Sequence, residues 1–408
     1  MQPHISATDQ TKGGGWPAVL TVGLATFSVV TTEMLPVGLM TSISTALETS
    51  VGTAGLMISL PALLAALFAP FVLLVAGSVD RRHILAGLLA LLVAANVASA
   101  LAPSMGWLLA ARIIVGFCMG GIWAISGGLA LRLVANHAVG TATAIIFGGV
   151  AAASVLGVPM GAVIGDFAGW RAAFAAMAVF SAIVLALNLW ALPALPIRQS
   201  VSLGQFKTQL SRPVVVFGLT ITLLLVTGHF MAYTFVSPVL QIVSGVKLEW
   251  VGALLFLYGA AGIAGNFLAG MAAISHIRFT LLSISLGLVV AISGFVWLGA
   301  TPAMGATLLL LWGVAYGGVS VTLQTWMMRA APSAIEIASA LFVSVFNIGI
   351  ATGAFMGGQV VDRADLVTNM ALAAILPALA LLATLVFPTL VFPTLVSPTP
   401  VFQRKTHL

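Results

Sequence analysis

Apolar residues run along this chain in long blocks, broken only by short segments that hold most of its charges. Blocks of spanning length fall at 16–40, 52–76, 84–103, 106–131, 139–165, 170–192, 213–242, 249–273, 279–300, 303–328, 335–361 and 367–391. A membrane helix needs ~20 apolar residues, so this pattern predicts twelve spans. None of the blocks alternates as barrel strands do, and lipid cannot satisfy exposed backbone groups, so each is expected to be helical.

Composition sharpens this. Hydrophobic residues make up 61% of the 408 and charged residues only 6%, with a mean hydropathy of +1.18, which excludes a soluble domain. The net charge of +6 could suggest nucleic acid, but the basic residues are scattered one to three at a time between apolar blocks. With a cytoplasmic amino terminus, Lys12, Arg81, Arg82, Arg132, Arg198, Lys207, Arg212, Arg278, Arg329, Arg404 and Lys405 all fall on the cytoplasmic side, and Arg171, Lys247 and Arg363 do not. That is the positive-inside pattern, with both termini cytoplasmic. The start of the chain lacks a basic n-region and an A-x-A site, so it is expected to be a tail and not a cleaved signal peptide. Cys118, the single cysteine, is expected to pack.

The expected organisation is an all-α polytopic fold. It has a tail at 1–15, a six-helix half at 16–192, a cytoplasmic linker at 193–212, a second half at 213–393 and a tail at 394–408. The repeated V-F-P-T-L units from Val386 to Phe402 are expected to fray the last helix. Gly116, Gly120, Gly121 and Arg132 recur 197 residues later as Gly313, Gly317, Gly318 and Arg329, which pairs the fourth span with the tenth. Two parallel repeats around a midplane site fit this offset.

Few ionisable groups lie at membrane depth: Glu33, Arg112 and His229. Such groups cost several kcal/mol there and usually face a cavity with work to do. Glu33 follows Trp16, and His229 follows Arg212, by 17 residues, so the two are expected at similar depth in equivalent helices. A carboxyl that takes up and releases a proton as access alternates is what an antiporter needs, and an imidazole can shuttle protons or bond a substrate. Plainer readings stand beside these: Glu33 as a protonated acid bonded to a neighbouring helix, His229 as a neutral bridge between helices. Arg112 cannot discharge and must snorkel or pair internally, so gating the fourth helix is as good a reading as proton chemistry.

Three further sets complete the candidates. Asp80, Arg81 and Arg82 form a cytoplasmic cluster able to latch one conformation, with plain topology signalling as the alternative for the arginines. Gly157, Pro159, Gly161 and Gly165 mark a bending fifth helix. Trp123, Ser126, Tyr233, Asn266, Gln324, Trp326 and Asn347 are the polar or aromatic side chains left at depth, open to substrate contact or to packing. Trp123 lies eleven residues, ~16 Å of helix, from Arg112, where a planar solute could stack.

The D-R-R at 80–82, the R-x-x-x-G from Arg112, G-V-P-M-G at 157–161 and G-W-R-A-A-F at 169–174 resemble the drug:proton antiporter branch of the major facilitator superfamily, over nearly the whole chain. T-E-M-L-P-V-G-L at 32–39, G-G-I-W-A-I-S-G-G-L-A-L-R-L-V at 120–134 and L-P-A-L-P at 192–196 look most like bacterial purine ribonucleoside efflux pumps. The segment 228–240 is shared more widely with sugar and arabinose exporters. The resemblance implies proton-driven export by alternating access in the inner membrane, with Glu33 at the matching acidic position. Two departures stand out: Ala76 and His83 replace family glycines, and the second-half counterpart at 269–278 has no acid.

The expected function is therefore proton-coupled export of a small solute such as a purine ribonucleoside, by a monomer whose partners are solute, protons and lipid. No nucleic acid, metal or cofactor beyond the proton gradient is expected. A sugar, arabinose or chloramphenicol-like drug exporter is the alternative. An enzyme would need H-E-x-x-H, paired intramembrane aspartates or a Ser/His dyad, and none is seen.

Overall fold

A computed structural model describes residues 15–75, 79–135, 138–195 and 203–387. The tail 1–14, Ala76, Arg198 and residues 388–408, with most of the V-F-P-T-L repeats, lie outside the described residues. The regular elements are helices: α1 (Gly15–Ala46), α2 (Val51–Ala54 continued by Leu56–Val75), α3 (Arg81–Ala100), α4 (Met105–Leu133), α5 (Val139–Ala152 continued by Val158–Ala168), α6 (Trp170–Ala191), α7 (Pro213–Tyr233), α8 (Leu248–Trp297), α9 (Pro302–Ala330), α10 (Ile335–Arg363) and α11 (Leu366–Val386). A linker helix, Leu203–Leu210, joins α6 to α7. Among the described residues ten helices are long and apolar enough to cross a membrane. The chain is an all-α multi-pass membrane protein.

Helix starts follow local chemistry. Ser50, Asp80, Ser104, Thr301 and Asp365 each cap a helix by accepting from a backbone N–H two or three residues on. Pro213 and Pro302 open α7 and α9, where a missing N–H is harmless. The last helix stops at Val386, just before the Phe387–Pro388 pair that disfavours helix.

The expected spans 249–273 and 279–300 are the two arms of α8, separated at His276, whose backbone is not helical (φ −133, ψ 52). The arms fold back on each other, because Gly265 meets Val314 and Gly287 meets Ala315, neighbours on α9. A straight helix would put those glycines ~33 Å apart. Two elements depart from the predicted spans. First, α7 ends at Tyr233 and not near 242. Pro238 cannot donate to Thr234, so the chain bends at Phe235 before a π-helical turn, Val239–Val243. Second, α5 contains a π-helical turn, Ala153–Gly157, ahead of Pro159, which relieves the ring's clash with the preceding turn.

The α1 and α7 helices are the most enclosed, with 78% and 67% of their apolar windows buried, so they form the centre. Among the described residues four hydrogen bonds tie α1–α6 to α7–α11, all in the half of the bundle away from the linker helix. Ser50 Oγ and Gly52 N donate to Asp362 at 2.6 and 2.8 Å, Ser59 Oγ to Ala351 O at 2.7 Å, and Gln241 Nε2 to Thr41 Oγ1 at 3.2 Å.

Candidate functional site

Two prolines prepare the centre. Pro36 in α1 and Pro61 in α2 lack an N–H, so the carbonyls one turn back, those of Thr32 and Met57, lose their helical partner. The donors come from α4. Arg112 is fully buried and gives Nη1 to Thr32 O at 2.7 Å, Nη2 to Glu33 O at 2.6 Å and Nε to Met57 O at 3.0 Å. Gly116 lies so close to the Pro61 backbone that any Cβ would strike it. The R-x-x-x-G spacing thus has a physical reading: the glycine seats α4 on α2 at Pro61, and the arginine one turn back meets the carbonyl which that proline releases.

Glu33 is 1% exposed, and its Oε1 has no hydrogen-bond partner among the described residues. It lies within electrostatic reach of Arg112 and of Tyr316 on α9. The one ion pair among the described residues is the exposed Lys247–Glu249, at 4.0 Å. Beside Glu33, Asn96 Nδ2 donates to Thr32 Oγ1 at 3.1 Å and to Ser181 Oγ at 3.3 Å, while Ser28 and Ser181 share a 2.8 Å bond. This network fixes α1 against α3 and α6.

His229 sits in a column of four rings. Tyr316 stacks on it at 3.3 Å between centroids, Tyr233 at 4.9 Å on α7, and Tyr258 on Tyr233 at 4.8 Å. These are the only three tyrosines of the chain. Trp312 stands edge-on to His229, Tyr233 and Tyr258, and its Nε1 donates to His229 Nδ1 at 3.0 Å. An indole N–H can only donate, so the imidazole is neutral here with its proton on Nε2. A second ring proton requires that bond to break.

The other candidates are dispersed. Trp326 is buried and gives Nε1 to Val214 O at 3.0 Å, filling the space beside Gly218. Gln324 donates to Ser339 Oγ at 2.6 Å, between α9 and α10. Asn347 donates to Val343 O at 2.9 Å, and its Oδ1 is buried without a partner among the described residues, as is the Ser126 hydroxyl. Trp123 is half-buried against the core, as Asn266 is on α8. Gly157, Gly161 and Gly165 receive Thr31, Leu35 and Leu39, so the bent α5 packs along the stretch of α1 that carries Glu33.

At the linker end, the Asp80 carboxylate accepts from main-chain N–H groups. Its Oδ1 accepts from Leu195 N and Arg82 N, both at 2.9 Å, and Arg82 Nη2 donates to Leu189 O at 2.6 Å. Partial burial raises the Asp80 carboxyl, but those two N–H groups and the nearby His83 and Arg82 side chains together outweigh it and hold it below the ordinary carboxylate value. Arg81 Nη1 is buried without a hydrogen-bond partner among the described residues.

Sequence reasoning passed over Tyr258, Trp312, Tyr316, Asn96 and Ser181. The available signal was the scarcity of tyrosine, together with two aromatic pairs one turn apart, His229/Tyr233 and Trp312/Tyr316.

Among the described residues no group of three or more His, Cys, Asp or Glu stands together to hold a metal. The chain resembles a bacterial homolog of the human lysosomal transporter Spinster, solved inward-facing both unoccupied and occupied. Each comparison gives a TM-score of 0.72 at 15% identity, over 90% of this chain and 95% of that one. It also resembles a single-site variant of the nucleoside transporter NupG, with a TM-score of 0.71 at 16% identity over 90% and 99% of the two chains. At these identities the likeness is one of fold. Residues 22–354 match the family described as the Major Facilitator Superfamily. A match over that much of the sequence places the chain in the family: it belongs to the Major Facilitator Superfamily and is a membrane transporter, not an enzyme.

Proposed function

We propose that the protein exports a small solute in exchange for protons by alternating access, with Glu33 as the coupling acid. One observation carries this reading: the Glu33 carboxyl is buried with Oε1 free of any partner among the described residues, while the buried cation beside it is committed to three main-chain carbonyls. An acid left open in this way gains or loses its proton whenever solute or water reaches it. Deprotonated Glu33 takes solute from the cytoplasm. A proton from outside then displaces the solute and is carried inward on the return.

The architecture under this proposal is twelve spans in two six-helix halves, 16–192 and 213–393, with the two arms of α8 counted separately. The repeated glycines support it: Gly116 and Gly120 press on the α2 backbone and Gly121 on Leu88 of α3, while Gly313 and Gly317 press on the first arm of α8 and Gly318 on both arms, at Ala269 and Ile284. Arg82 binds Leu189 O and Arg278 binds Leu385 O, each pair 107 residues apart. The positive-inside pattern puts both termini in the cytoplasm of an inner-membrane monomer. The end closed by Ser50 and Asp362 then faces outward.

A purine ribonucleoside is the solute that segments 32–39, 120–134 and 192–196 favour, and the aromatic column suits a planar base. Segment 228–240 favours a sugar or amphiphilic drug as the second reading. Uptake into inverted vesicles with an imposed pH gradient tests the proposal. Inosine accumulates in wild type and not in Glu33→Gln; accumulation that ignores the gradient would refute coupling.

A further inference from the structure

We infer that Tyr316 is the stacking platform of the solute site and that it selects a planar nitrogen heterocycle over a free sugar. This rests on the transporter reading above and names its substrate class. The ring column runs Tyr258, Tyr233, His229, Tyr316 and stops there. One face of Tyr316 covers His229 at 3.3 Å, the edge of Phe230 lies 6.2 Å away, and no ring covers the second face among the described residues.

One buried oxygen belongs to Tyr316 itself and a second to Glu33 on α1. The Tyr316 hydroxyl and Glu33 Oε1 each lack a hydrogen-bond partner among the described residues, and the two residues lie within electrostatic reach of each other across α1 and α9. Unmet polar atoms at such depth are satisfied by a ligand or by water. A flat heterocycle adds a fifth ring to the column and brings polar ring-edge groups to the same two oxygens. A free pentose has no face to stack. The column is held rigid for this task by the Trp312 N–H on His229, so little ordering remains to be done on binding.

The test is calorimetric titration of inosine, ribose and arabinose into the detergent-purified protein, with Tyr316→Phe, Tyr316→Leu and, as a control on the exposed face of α6, Trp190→Phe. Inosine is expected to bind wild type and Trp190→Phe alike and Tyr316→Leu roughly tenfold or more weakly, with Tyr316→Phe in between, because base stacking is the main term. Neither sugar is expected to bind measurably. A monodisperse Tyr316→Leu that melts like wild type shows that its loss of binding is not one of folding, and Tyr316→Phe, which keeps the ring, separates stacking from the hydroxyl. Unchanged inosine affinity in Tyr316→Leu, or sugar binding that matches inosine, overturns the inference. If gradient-driven transport persists in that case, the exporter reading survives it; if wild type binds nothing and exchanges no protons, both fall.

Discussion

Arg112 donates to the main-chain carbonyl of Glu33 at 2.6 Å, and its other two donors go to the carbonyls of Thr32 and Met57. The arginine therefore sets where the backbone of the acid lies and leaves its carboxyl free to titrate. Buried carbonyls left without a donor cost about 1–3 kcal/mol each. Arg112→Met is predicted to lower the melting temperature in detergent by several degrees. Adding Pro36→Ala and Pro61→Ala restores N–H donors to Thr32 and Met57 and is predicted to recover most of the loss. No recovery in the triple variant would mean that Arg112 stabilises by another route.

Glycine positions divide sharply by what a methyl group would meet. At Gly116 it strikes the Pro61 backbone and at Gly317 the Gly262 backbone, whereas at Gly87 and Gly148 nothing lies within 4 Å. Overpacking typically costs about 1–3 kcal/mol, while Gly→Ala in an open helix position gains up to about 1 kcal/mol. Gly116→Ala and Gly317→Ala are predicted to melt below wild type, and Gly87→Ala and Gly148→Ala at or above it. Equal melting of all four contradicts the packing described.

The apolar blocks made most helices legible, because in lipid length and hydropathy leave little choice. The break in α8 was legible as the short S-H-I-R interruption between two apolar blocks, whereas the bend of α7 at Phe235 lies inside an unbroken apolar block and was not. Charge at depth pointed to Glu33, Arg112 and His229. It could not show that Arg112 binds carbonyls, because that depends on Pro36 and Pro61 in two other helices. The ring column was hidden for a related reason: membrane helices are apolar all round, so periodicity does not tell which face of α9 carries Trp312 and Tyr316 inward.

Opening the end away from the linker helix requires Asp362 to leave Ser50 and Gly52, which it binds at 2.6 and 2.8 Å. A Ser50→Cys/Asp362→Cys pair bridged by a short bifunctional thiol reagent is predicted to arrest transport, with recovery on reduction. Full transport by the bridged protein would show that α2 and α10 need not separate there.

Asp80 links the start of α3 to the segment after α6 through its carboxylate. Its folded value lies below the ordinary 3.8, so the stability it contributes is present above that pH and is lost as pH falls through the lower folded value. Removing a helix cap costs ~1 kcal/mol. Asp80→Ala is predicted to melt below wild type at pH 6, with the gap closing toward pH 3. A gap independent of pH would assign the loss to packing.

The most direct test is proton release from detergent-purified protein in weakly buffered solution on addition of inosine, measured for wild type and for Glu33→Gln. The predicted result is release by wild type and none by the variant, whose permanently neutral side chain binds inosine more weakly. Inosine binding without proton release from wild type would contradict coupling through Glu33 and make the protein a facilitator.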